Sequence, residues 1–367
     1  MTTKEFDYLI VGTGLFGATF AQHAIEQGLK VLMIDKRSHI GGNVYTEKQE
    51  GINIHKYGAH IFHTSNEKVW SYLNRFCSFN HYVNRPKVNF KEQIYSFPIN
   101  LLTLYQLYGV KTPEEAKAKL DEVKVPCDKP SNLEEWILSQ VGVEIYETFI
   151  KGYTMKQWGR DPKQLPSFII RRLPIRLTFD DNYFNDKYQG IPIGGYTGII
   201  EKMLEGADVR LNVDYFEDKA TWDGKANKVL YTGPIDAYYD YEFGELEYRT
   251  LRFENKHLDI PDFQGNAVVN YTAPEVPFTR ILEHKHFEFT ESESTIITEE
   301  YPDTWHKSKV PYYPVNDDTN MAIYKQYKAK AEQDKSVIFG GRLAEYKYYD
   351  MHQVVASAMA CVEKELA

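Results

Sequence analysis

Three glycines with the spacing Gly-x-Gly-x-x-Gly lie near the start of the chain, at Gly12, Gly14 and Gly17. They follow an apolar run of strand length, Tyr8 to Val11, and precede a helix-like segment that ends near Gly28. In that position Gly12 permits a sharp turn, Gly14 lets the backbone approach a pyrophosphate, and Gly17 allows close helix–strand packing. The free N–H groups at the start of the helix would face the anion. The pattern therefore predicts a dinucleotide-binding site.

An acidic residue follows at the spacing that this kind of site requires. A second apolar run, Lys30 to Ile34, ends at Asp35, about twenty residues beyond the glycines, where a carboxylate binds a ribose 2′-hydroxyl. The pair Gly41-Gly42 then indicates a second loop over the cofactor, because such glycines let backbone amides approach phosphate oxygens. A glycine-rich turn in some other α/β protein is the alternative. The candidate cofactor-binding residues of this region are Gly12, Thr13, Gly14, Phe16, Gly17, Asp35, Lys36, Gly42 and Asn43.

A strand followed by Gly-Gly-Arg occurs near the C-terminus, from Val337 to Arg342. A final helix comes after it, and the N-terminus of that helix could face the edge of an isoalloxazine ring. This arrangement predicts that the C-terminal segment returns to the N-terminal fold. The dinucleotide-binding domain is therefore expected to be discontinuous.

Three histidines, His55, His60 and His63, lie close together in an extended segment. A zinc site is one interpretation of that density, but no cysteine or carboxylate cluster accompanies it, so no metal is expected. We expect His60 and His63 to form hydrogen bonds near the cofactor. The alternative is that both are simply buried with satisfied ring nitrogens.

The region 100–170 has a helical pattern. Thr112-Pro113-Glu114-Glu115 and Ser131-Asn132-Leu133-Glu134 both match the capping box and predict two helix starts. Aromatic and basic residues are then interleaved from Ile150 to Arg160. Such residues can stack on a base and clamp a diphosphate, or they can form a solvated helix face with an anchoring tryptophan. The residues alone favour neither interpretation.

The second half of the chain has a strand pattern. Tyr248 to Arg280 alternates apolar and polar residues over several short runs separated by turns, which predicts an antiparallel sheet. An acidic, polar stretch follows, from Glu288 to Glu300.

The composition excludes several classes of function. A net charge of −9 gives no general attraction to nucleic acid or anionic lipid, so an anionic ligand would need a few local arginines. The chain has three widely spaced cysteines, Cys77, Cys127 and Cys361, which argues against a disulfide framework, a redox dithiol and a thiolate metal site. With no signal-like start and no apolar run of membrane-spanning length, the protein is expected to be soluble and cytoplasmic.

Seven short segments form a recognisable set. They are Gly12-Thr13-Gly14-Leu15-Phe16-Gly17, His60-Ile61-Phe62-His63, Gly152-Tyr153-Thr154 to Trp158-Gly159, Arg172-Leu173-Pro174, Asp181-Asn182-Tyr183-Phe184, Tyr231-Thr232-Gly233-Pro234 and Tyr346-Lys347-Tyr348-Tyr349-Asp350. Together they resemble the bacterial UDP-galactopyranose mutase family. The resemblance runs essentially end to end, without the long insertions of eukaryotic members, and is far more specific than the glycine pattern alone.

With the patterns above, this resemblance implies an α/β fold in three parts. These are a discontinuous Rossmann-like FAD-binding domain (1–80, 186–240 and 335–367), an inserted helical domain (100–170) and an antiparallel β-sheet substrate domain (81–99, 171–185 and 241–334). The resemblance also implies an isomerase that interconverts UDP-galactopyranose and UDP-galactofuranose. The family does so by non-redox covalent catalysis through N5 of reduced FAD. UDP-galactose as substrate, an external reductant such as NAD(P)H, a homodimer and a role in cell-wall polysaccharide biosynthesis follow from the same resemblance.

Matching positions give the candidate site residues. Arg172, Arg280 and His60 are the expected catalytic residues, with both arginines on the diphosphate and Arg172 on a mobile loop. The resemblance implies that the other substrate-binding residues are Asn84, Phe149, Tyr153, Thr154, Trp158, Tyr183, Asn270, Tyr313, Tyr348 and Asp350. It places His60, His63, Gly341, Arg342, Asp350 and Met351 beside the flavin. Removing either arginine is expected to cost substrate binding more than folding, because each charge would face a polar cleft.

A redox flavoenzyme of the amine-oxidase-like class shares the N-terminal pattern and is the main alternative function. The chain has no second Gly-x-Gly-x-x-Gly for a nicotinamide nucleotide and no dithiol, which favours the mutase. A flavin-binding scaffold without catalysis is a further alternative, and the paired arginines and tyrosines argue against it.

Overall fold

The computed structural model describes residues 4–171 and 173–366. Its strands are β1 (Phe6–Val11), β2 (Val31–Asp35), β3 (Thr46–Gln49), β4 (Ile52–His55), β5 (Phe62–Thr64), β6 (Lys87–Phe90), β7 (Gln93–Ser96), β8 (Tyr188–Gly190), β9 (Asp208–Leu211), β10 (Ala226–Tyr231), β11 (Tyr248–Leu258), β12 (Val268–Tyr271), β13 (Arg280–Glu283), β14 (Thr295–Asp303), β15 (Tyr313–Pro314) and β16 (Val337–Phe339).

The α-helices of the described residues are α1 (Leu15–Glu26), α2 (Glu67–Leu73), α3 (Leu101–Tyr108), α4 (Pro113–Val123), α5 (Leu133–Ile145), α6 (Gly152–Trp158), α7 (Phe168–Arg171), α8 (Thr197–Met203), α9 (Lys219–Lys225), α10 (Ile235–Tyr238), α11 (Asp318–Ala331) and α12 (Met351–Glu365). A π-helical segment, Tyr146–Lys151, joins α5 to α6. None of the helices in the described ranges is long and apolar enough to cross a membrane.

A parallel sheet of five strands, in the order β16-β10-β1-β2-β9, forms the first layer. All five residues of β2 are buried, as expected for a parallel strand covered on both faces. The helices α1, α8 and α12 pack on one face, and Tyr215, Trp222 and Tyr238 pack on the other. Because β16 joins the edge of this sheet beside β10, the predicted return of the C-terminal segment to the N-terminal fold is confirmed.

A second sheet of seven strands has the order β15-β11-β14-β13-β12-β6-β7. The sequence pattern predicted an antiparallel sheet, and this is wrong at one position, because β12 pairs with β6 in parallel. The acidic stretch that ends at Glu300 was not predicted as a strand, yet β14 begins in it and lies inside the sheet, between β11 and β13. Its neighbours cover the strand on both sides, so Glu299 and Glu300 are buried.

The helical segment from α3 to α6 packs its apolar side chains against β6 and β7. At the start of α4 the predicted capping box is present: Thr112 Oγ1 accepts from the N–H of Glu115, and the Glu115 carboxylate accepts from that of Thr112. At the start of α5 the prediction was one residue too early. There the N-cap is Asn132, whose Oδ1 accepts from the N–H of Glu135 at 2.9 Å.

The close packing predicted for Gly17 is testable with a matched pair of helix glycines. A Cβ at Gly17 would lie 2.2 Å from the carbonyl oxygen of Gly12, whereas a Cβ at Gly198 in α8 would meet nothing within 4 Å. We expect Gly17→Ala to lower the free energy of unfolding by about 3 kcal/mol, because the turn must move. Gly198→Ala should raise it by up to about 1 kcal/mol, because alanine favours a helix. Urea unfolding of both variants measures the difference, and equal effects would contradict the packing.

Candidate active site

A cavity of about 430 Å³ lies at the carboxyl ends of β1, β2 and β10, beside the N-terminus of α1. Ligands of open α/β sheets bind at this edge. Gly12 has a φ of +106°, and a Cβ there would lie 2.1 Å from Thr232 Oγ1, so the turn requires glycine. The predicted cofactor residues that line this cavity are Gly12, Gly14, Phe16, Gly17, Asp35, Lys36, Gly42, Asn43, His60, Gly341, Arg342 and Met351. Thr13 does not line it, because this residue is fully buried.

The carboxylate of Asp35 organises the glycine turn. Its Oδ2 accepts from the backbone N–H of Thr13 at 2.9 Å and from Thr13 Oγ1 at 2.7 Å, and its Oδ1 accepts from the N–H of Arg37 at 3.0 Å. Thr13 therefore acts on the site indirectly, by fixing the acid. Because each carboxylate oxygen can accept more than one hydrogen bond, Asp35 retains acceptor capacity toward the cavity.

Arg37 lines the first cavity and was missed by the sequence analysis. Its guanidinium lies 4.2 Å from the ring centre of Tyr57, and its Nη2 donates to Asn43 Oδ1 at 2.8 Å. Its Nη1 is buried without a hydrogen-bond partner among the described residues. A buried donor of this kind needs an acceptor, which a bound dinucleotide can supply. The only signal in the sequence was the cation two residues after the acid that ends β2.

A second cavity, of about 510 Å³, lies between the helical segment and the seven-stranded sheet. The two cavities share four lining residues, Asn43, His60, Arg342 and Met351. A ligand that enters both would cross from one to the other at these four side chains. The predicted residues that line the second cavity are Asn84, Phe149, Tyr153, Thr154, Trp158, Tyr183, Asn270, Arg280, Tyr313, Tyr348 and Asp350, together with His63. Arg172 lies outside the described residues.

Arg280 and Glu300 form an ion pair in the wall of the second cavity. Arg280 begins β13 and lies opposite Glu300 of β14, and its Nη2 donates to Glu300 Oε1 at 2.9 Å. The Glu300 side chain is fully buried, and that of Arg280 is 21% exposed. Burial alone would lower the pKa of Arg280, but the Glu300 carboxylate raises it well above its usual value. The guanidinium is therefore permanently charged, and its Nε has no protein partner within the described ranges.

His60 lies where the two cavities meet. Its Nδ1 bonds the carbonyl oxygen of Gly58 at 2.7 Å, so Nδ1 carries the hydrogen and Nε2 is an acceptor. Burial, with Arg342 and Arg280 nearby, lowers the pKa of His60 to about 4, although the Gly58 bond opposes the shift. His60 is therefore a neutral acceptor at physiological pH.

His63 is held by Asp186 and Phe184. Its Nδ1 lies 2.6 Å from Asp186 Oδ2, and its ring stacks on Phe184 with 3.7 Å between centres. Asp186 also accepts from Ser65 Oγ at 2.8 Å. The sequence analysis missed Asp186, because nothing in its local pattern indicates that β8 pairs with β5.

Two tyrosines and an arginine form a stack on the opposite wall. The rings of Tyr313 and Tyr348 stack with 5.1 Å between their centres, and the guanidinium of Arg342 lies 5.5 Å from the Tyr313 ring centre. Burial raises the pKa of Tyr313 above its usual value, so its hydroxyl keeps its hydrogen. The pair Tyr313 and Arg280 thus offers an uncharged donor and a permanent cation to the same cavity.

Possible metal ligands come together away from both cavities. Asp262, Glu283 and His286 have ligand atoms within 4.8 Å of one another. The Glu283 carboxylate already accepts from two backbone N–H groups, and it raises the pKa of His286. We therefore interpret this group as an ion pair around a protonated histidine.

Comparisons with known proteins match nearly the whole chain. A family model described as UDP-galactopyranose mutase matches residues 148–348, and one described as an NAD(P)-binding Rossmann-like domain matches residues 10–76. The chain is 41% identical to a dTDP-fucopyranose mutase of Escherichia coli, covering 97% of each protein. It is 42% identical to a probable UDP-galactopyranose mutase of Klebsiella pneumoniae, covering 98% of this chain and 94% of that protein.

Solved structures share the fold at low sequence identity. A reduced UDP-galactopyranose mutase has a TM-score of 0.75 at 14% identity, covering 100% of this chain and 94% of that one. A redesigned putrescine oxidase has a TM-score of 0.61 at 12% identity, covering 98% of each chain. At these identities the likeness concerns the fold alone, which explains why a redox flavoenzyme fitted the N-terminal pattern.

The buried Glu300 changes the expectation for Arg280. In Arg280→Ala the carboxylate would be buried without its partner, so we expect the free energy of unfolding to fall by about 3–5 kcal/mol. Arg280→Met combined with Glu300→Met should recover most of that loss, because no charge stays unpaired. Arg85→Ala, which breaks the exposed pair with Asp181, is the control and should cost at most about 1 kcal/mol. Urea unfolding tests this, and an Arg280→Ala variant as stable as Arg85→Ala would contradict the buried pair.

The pKa values of three histidines predict how the free energy of unfolding changes with pH. The pKa is lowered by burial to about 4 for His60 and to about 3 for His284, whereas a Glu283 hydrogen bond raises that of His286. Below pH 6.5 the unfolded chain binds protons at His60 and His284 that the folded chain does not, so both reduce stability as the pH falls. Nitrogen NMR of the rings at about pH 6 should find His286 protonated and the other two neutral. The reverse order would contradict the structure.

Proposed function

The chain belongs to the UDP-galactopyranose mutase family, and we propose on that premise that it interconverts UDP-galactopyranose and UDP-galactofuranose. The observation that carries the proposal is the joined pair of cavities, one at the nucleotide edge of a parallel sheet and one that combines aromatic rings with a permanent cation. Such a combination suits a nucleoside diphosphate held against a cofactor.

Members of this family depend on FAD, and the first cavity fits that cofactor. Gly12 and Gly17 shape the turn at the start of α1, where N–H groups can bind a pyrophosphate. The unpartnered Nη1 of Arg37 supplies a buried donor, and Asp35 supplies an acceptor for a ribose hydroxyl. We propose that the flavin ring reaches the residues that both cavities share. When bound and reduced, FAD supplies a nucleophilic nitrogen at the anomeric carbon, with no net redox change.

The diphosphate is the leaving group, and the charged wall of the second cavity stabilises it. Arg280 offers its charged guanidinium to the ligand, and Tyr313 and Tyr348 donate hydroxyl hydrogens. Arg172, which lies outside the described residues, is the second expected cation. Because Glu300 holds Arg280 in place before the ligand arrives, little reorganisation is needed during the reaction.

The base and the sugar are bound at opposite ends of the second cavity. Phe149, Tyr153 and Trp158 provide ring faces for the base. Asn84 and the neutral His60 lie by the sugar, and His60 Nε2 accepts from a sugar hydroxyl. Holding both ends also keeps water away from the reacting carbon.

The wider assignments extend the same proposal. We propose the three-part domain division given above, with an external reductant such as NAD(P)H for the flavin. We also propose a homodimer that works in the cytoplasm and supplies galactofuranose for cell-wall polysaccharides. His63, Asp350 and Asn270 complete the set of side chains around the flavin and the substrate.

A second candidate substrate is a dTDP-fucose. The Escherichia coli relative named dTDP-fucopyranose mutase matches this chain over the same length and at nearly the same identity as the Klebsiella protein. The two ligands differ by a thymine methyl, a ribose hydroxyl and the sugar 6-hydroxyl. The apolar residues Val88, Phe97 and Ile150 of the second cavity offer a surface on which a methyl group can pack.

The deciding experiment compares both substrates and both flavin states. Purified holoenzyme, either oxidised or reduced with dithionite without oxygen, is incubated with UDP-galactofuranose or with dTDP-fucofuranose, and the products are separated by chromatography. We expect UDP-galactopyranose to form only with reduced enzyme and faster than the fucose product. Faster conversion of the fucose substrate would assign the second candidate. Conversion of neither, with FAD bound and reduced, would overturn the proposed function.

A further inference from the structure

A half-buried lysine on α6, Lys156, has an unusual set of partners. The Nζ of Lys156 lies within hydrogen-bond distance of four backbone carbonyl oxygens: 2.7 Å from Tyr271, 2.9 Å from Ala273, 2.9 Å from Val276 and 3.1 Å from Phe278. Within the described ranges it forms no ion pair. The ammonium is thus enclosed by carbonyl oxygens, much as a bound cation would be.

One of these carbonyls belongs to the last residue of β12, Tyr271, and the other three belong to the connection that leads from β12 into β13. Asn270 lies near the end of β12, Arg280 begins β13, and the two residues are directly paired in the sheet. The connection folds back on itself, since the N–H of Tyr271 donates to the carbonyl of Thr279 at 2.8 Å. Whatever holds this connection therefore holds the strand that presents Arg280 to the second cavity.

The helix that bears Lys156 carries the opposite end of the site. Tyr153, Thr154 and Trp158 of α6 line the second cavity, whereas Lys156 does not line it. Lys156 therefore lies behind the wall that those three residues form and joins it to the Arg280 strand.

Two further contacts lie at the junction between α6 and the β12–β13 connection. The hydroxyl of Thr272 donates to the carbonyl of Thr148 at 2.6 Å, just before α6. A Cβ at Gly152 would lie 2.1 Å from the Thr272 carbonyl oxygen, so helix and connection are in direct backbone contact. Lys156 supplies the only ammonium group among these three contacts. It lies within hydrogen-bond distance of four carbonyl oxygens, whereas Thr272 donates to one.

We propose that Lys156 is a positioning residue that sets the distance between the base-binding helix and Arg280, so that a nucleoside diphosphate is held at both ends. This inference rests on the proposed function, because it takes α6 as the base-binding helix and Arg280 as the diphosphate-binding residue. Lys156 itself touches neither ligand nor cofactor. Its loss should weaken a ligand that spans both ends more than a ligand that occupies one.

The charge state of Lys156 makes the junction sensitive to alkaline pH. Burial lowers the pKa of Lys156 to about 8, and the carboxylate of Glu275 in the same connection opposes this shift. Above that pH the folded chain releases a proton that the unfolded chain keeps, so folding does not weaken on this account. As the pH rises above that value, we therefore expect the affinity for a nucleotide to fall while the free energy of unfolding does not.

The test uses oxidised holoenzyme and calorimetric titration with UDP and with uridine. Lys156→Met keeps the unbranched apolar stem of the side chain, one atom shorter, and removes the ammonium. Lys151→Met is the matched control, because Lys151, five residues earlier at the end of the π-helical segment, forms an exposed ion pair with Glu147. We expect Lys156→Met to weaken UDP at least about tenfold, the equivalent of one charged hydrogen bond, and uridine much less. Lys151→Met should bind both ligands like wild type.

A pH series on the wild type keeps the inference testable if Lys156→Met fails to fold. Between about pH 7.5 and about pH 9.5 the UDP dissociation constant of the wild type should rise more than that of uridine, which carries the same titrating base, while urea unfolding shows no parallel loss of stability. Burial keeps the pKa of Tyr153 at about 12, so its hydroxyl does not titrate in this range. An affinity that stays flat across the series, or equal weakening of UDP and uridine in Lys156→Met, would overturn the positioning role. Wild-type enzyme that binds no UDP at any pH would instead overturn the proposed function.

Discussion

The ion pair between Arg280 and Glu300 is the interaction on which the second cavity depends. The carboxylate is fully buried, and a buried charge is tolerated only with a partner and further hydrogen bonds. Glu300 also restricts the backbone opposite. A Cβ at Gly58 would lie 3.2 Å from Glu300 Oε2, and Gly58 has a φ of +94°. The turn that places His60 is thus packed against the same carboxylate, so one buried acid contacts both Arg280 and the segment that bears His60.

The two sheets contribute to the site in different ways. The parallel sheet presents backbone groups at its carboxyl edge, where glycines permit a close approach and Asp35 fixes the turn. The seven-stranded sheet presents side chains, since Asn270, Arg280 and Glu300 lie on three neighbouring strands. The first arrangement offers backbone groups in a fixed geometry, and the second offers a charged side chain. The two cavities adjoin each other where Asn43 and Arg342 line both of them.

The sequence predicts the glycine turn, Asp35 and the start of α1 well, because the residues that form them lie close together along the chain. A glycine at a positive φ, a strand that ends in an acid and a helix start all lie within a short stretch, so spacing alone indicates them. The partners of the second cavity are not local. Glu300 lies in an acidic, polar stretch to which the sequence analysis assigned no structure, and it is buried in the strand β14, which pairs with β11 and β13. Lys156 resembles an ordinary helix-surface lysine until the β12–β13 connection is placed against it.

The return of the C-terminal segment has a consequence for how the protein acquires its cofactor during synthesis. β16 and α12 bring Arg342 and Met351 to the point where the cavities meet, and Gly340 and Gly341 pack against Phe16 of α1. The glycine turn leaves the ribosome first, but these late residues complete its pocket. A nascent chain can therefore fold the β1-α1-β2 unit early, yet it cannot enclose a flavin until β16 and the start of α12 have been made. Flavin supply would then act on chains that contain this segment, and a shorter chain would carry an open cavity at the ends of β1 and β2.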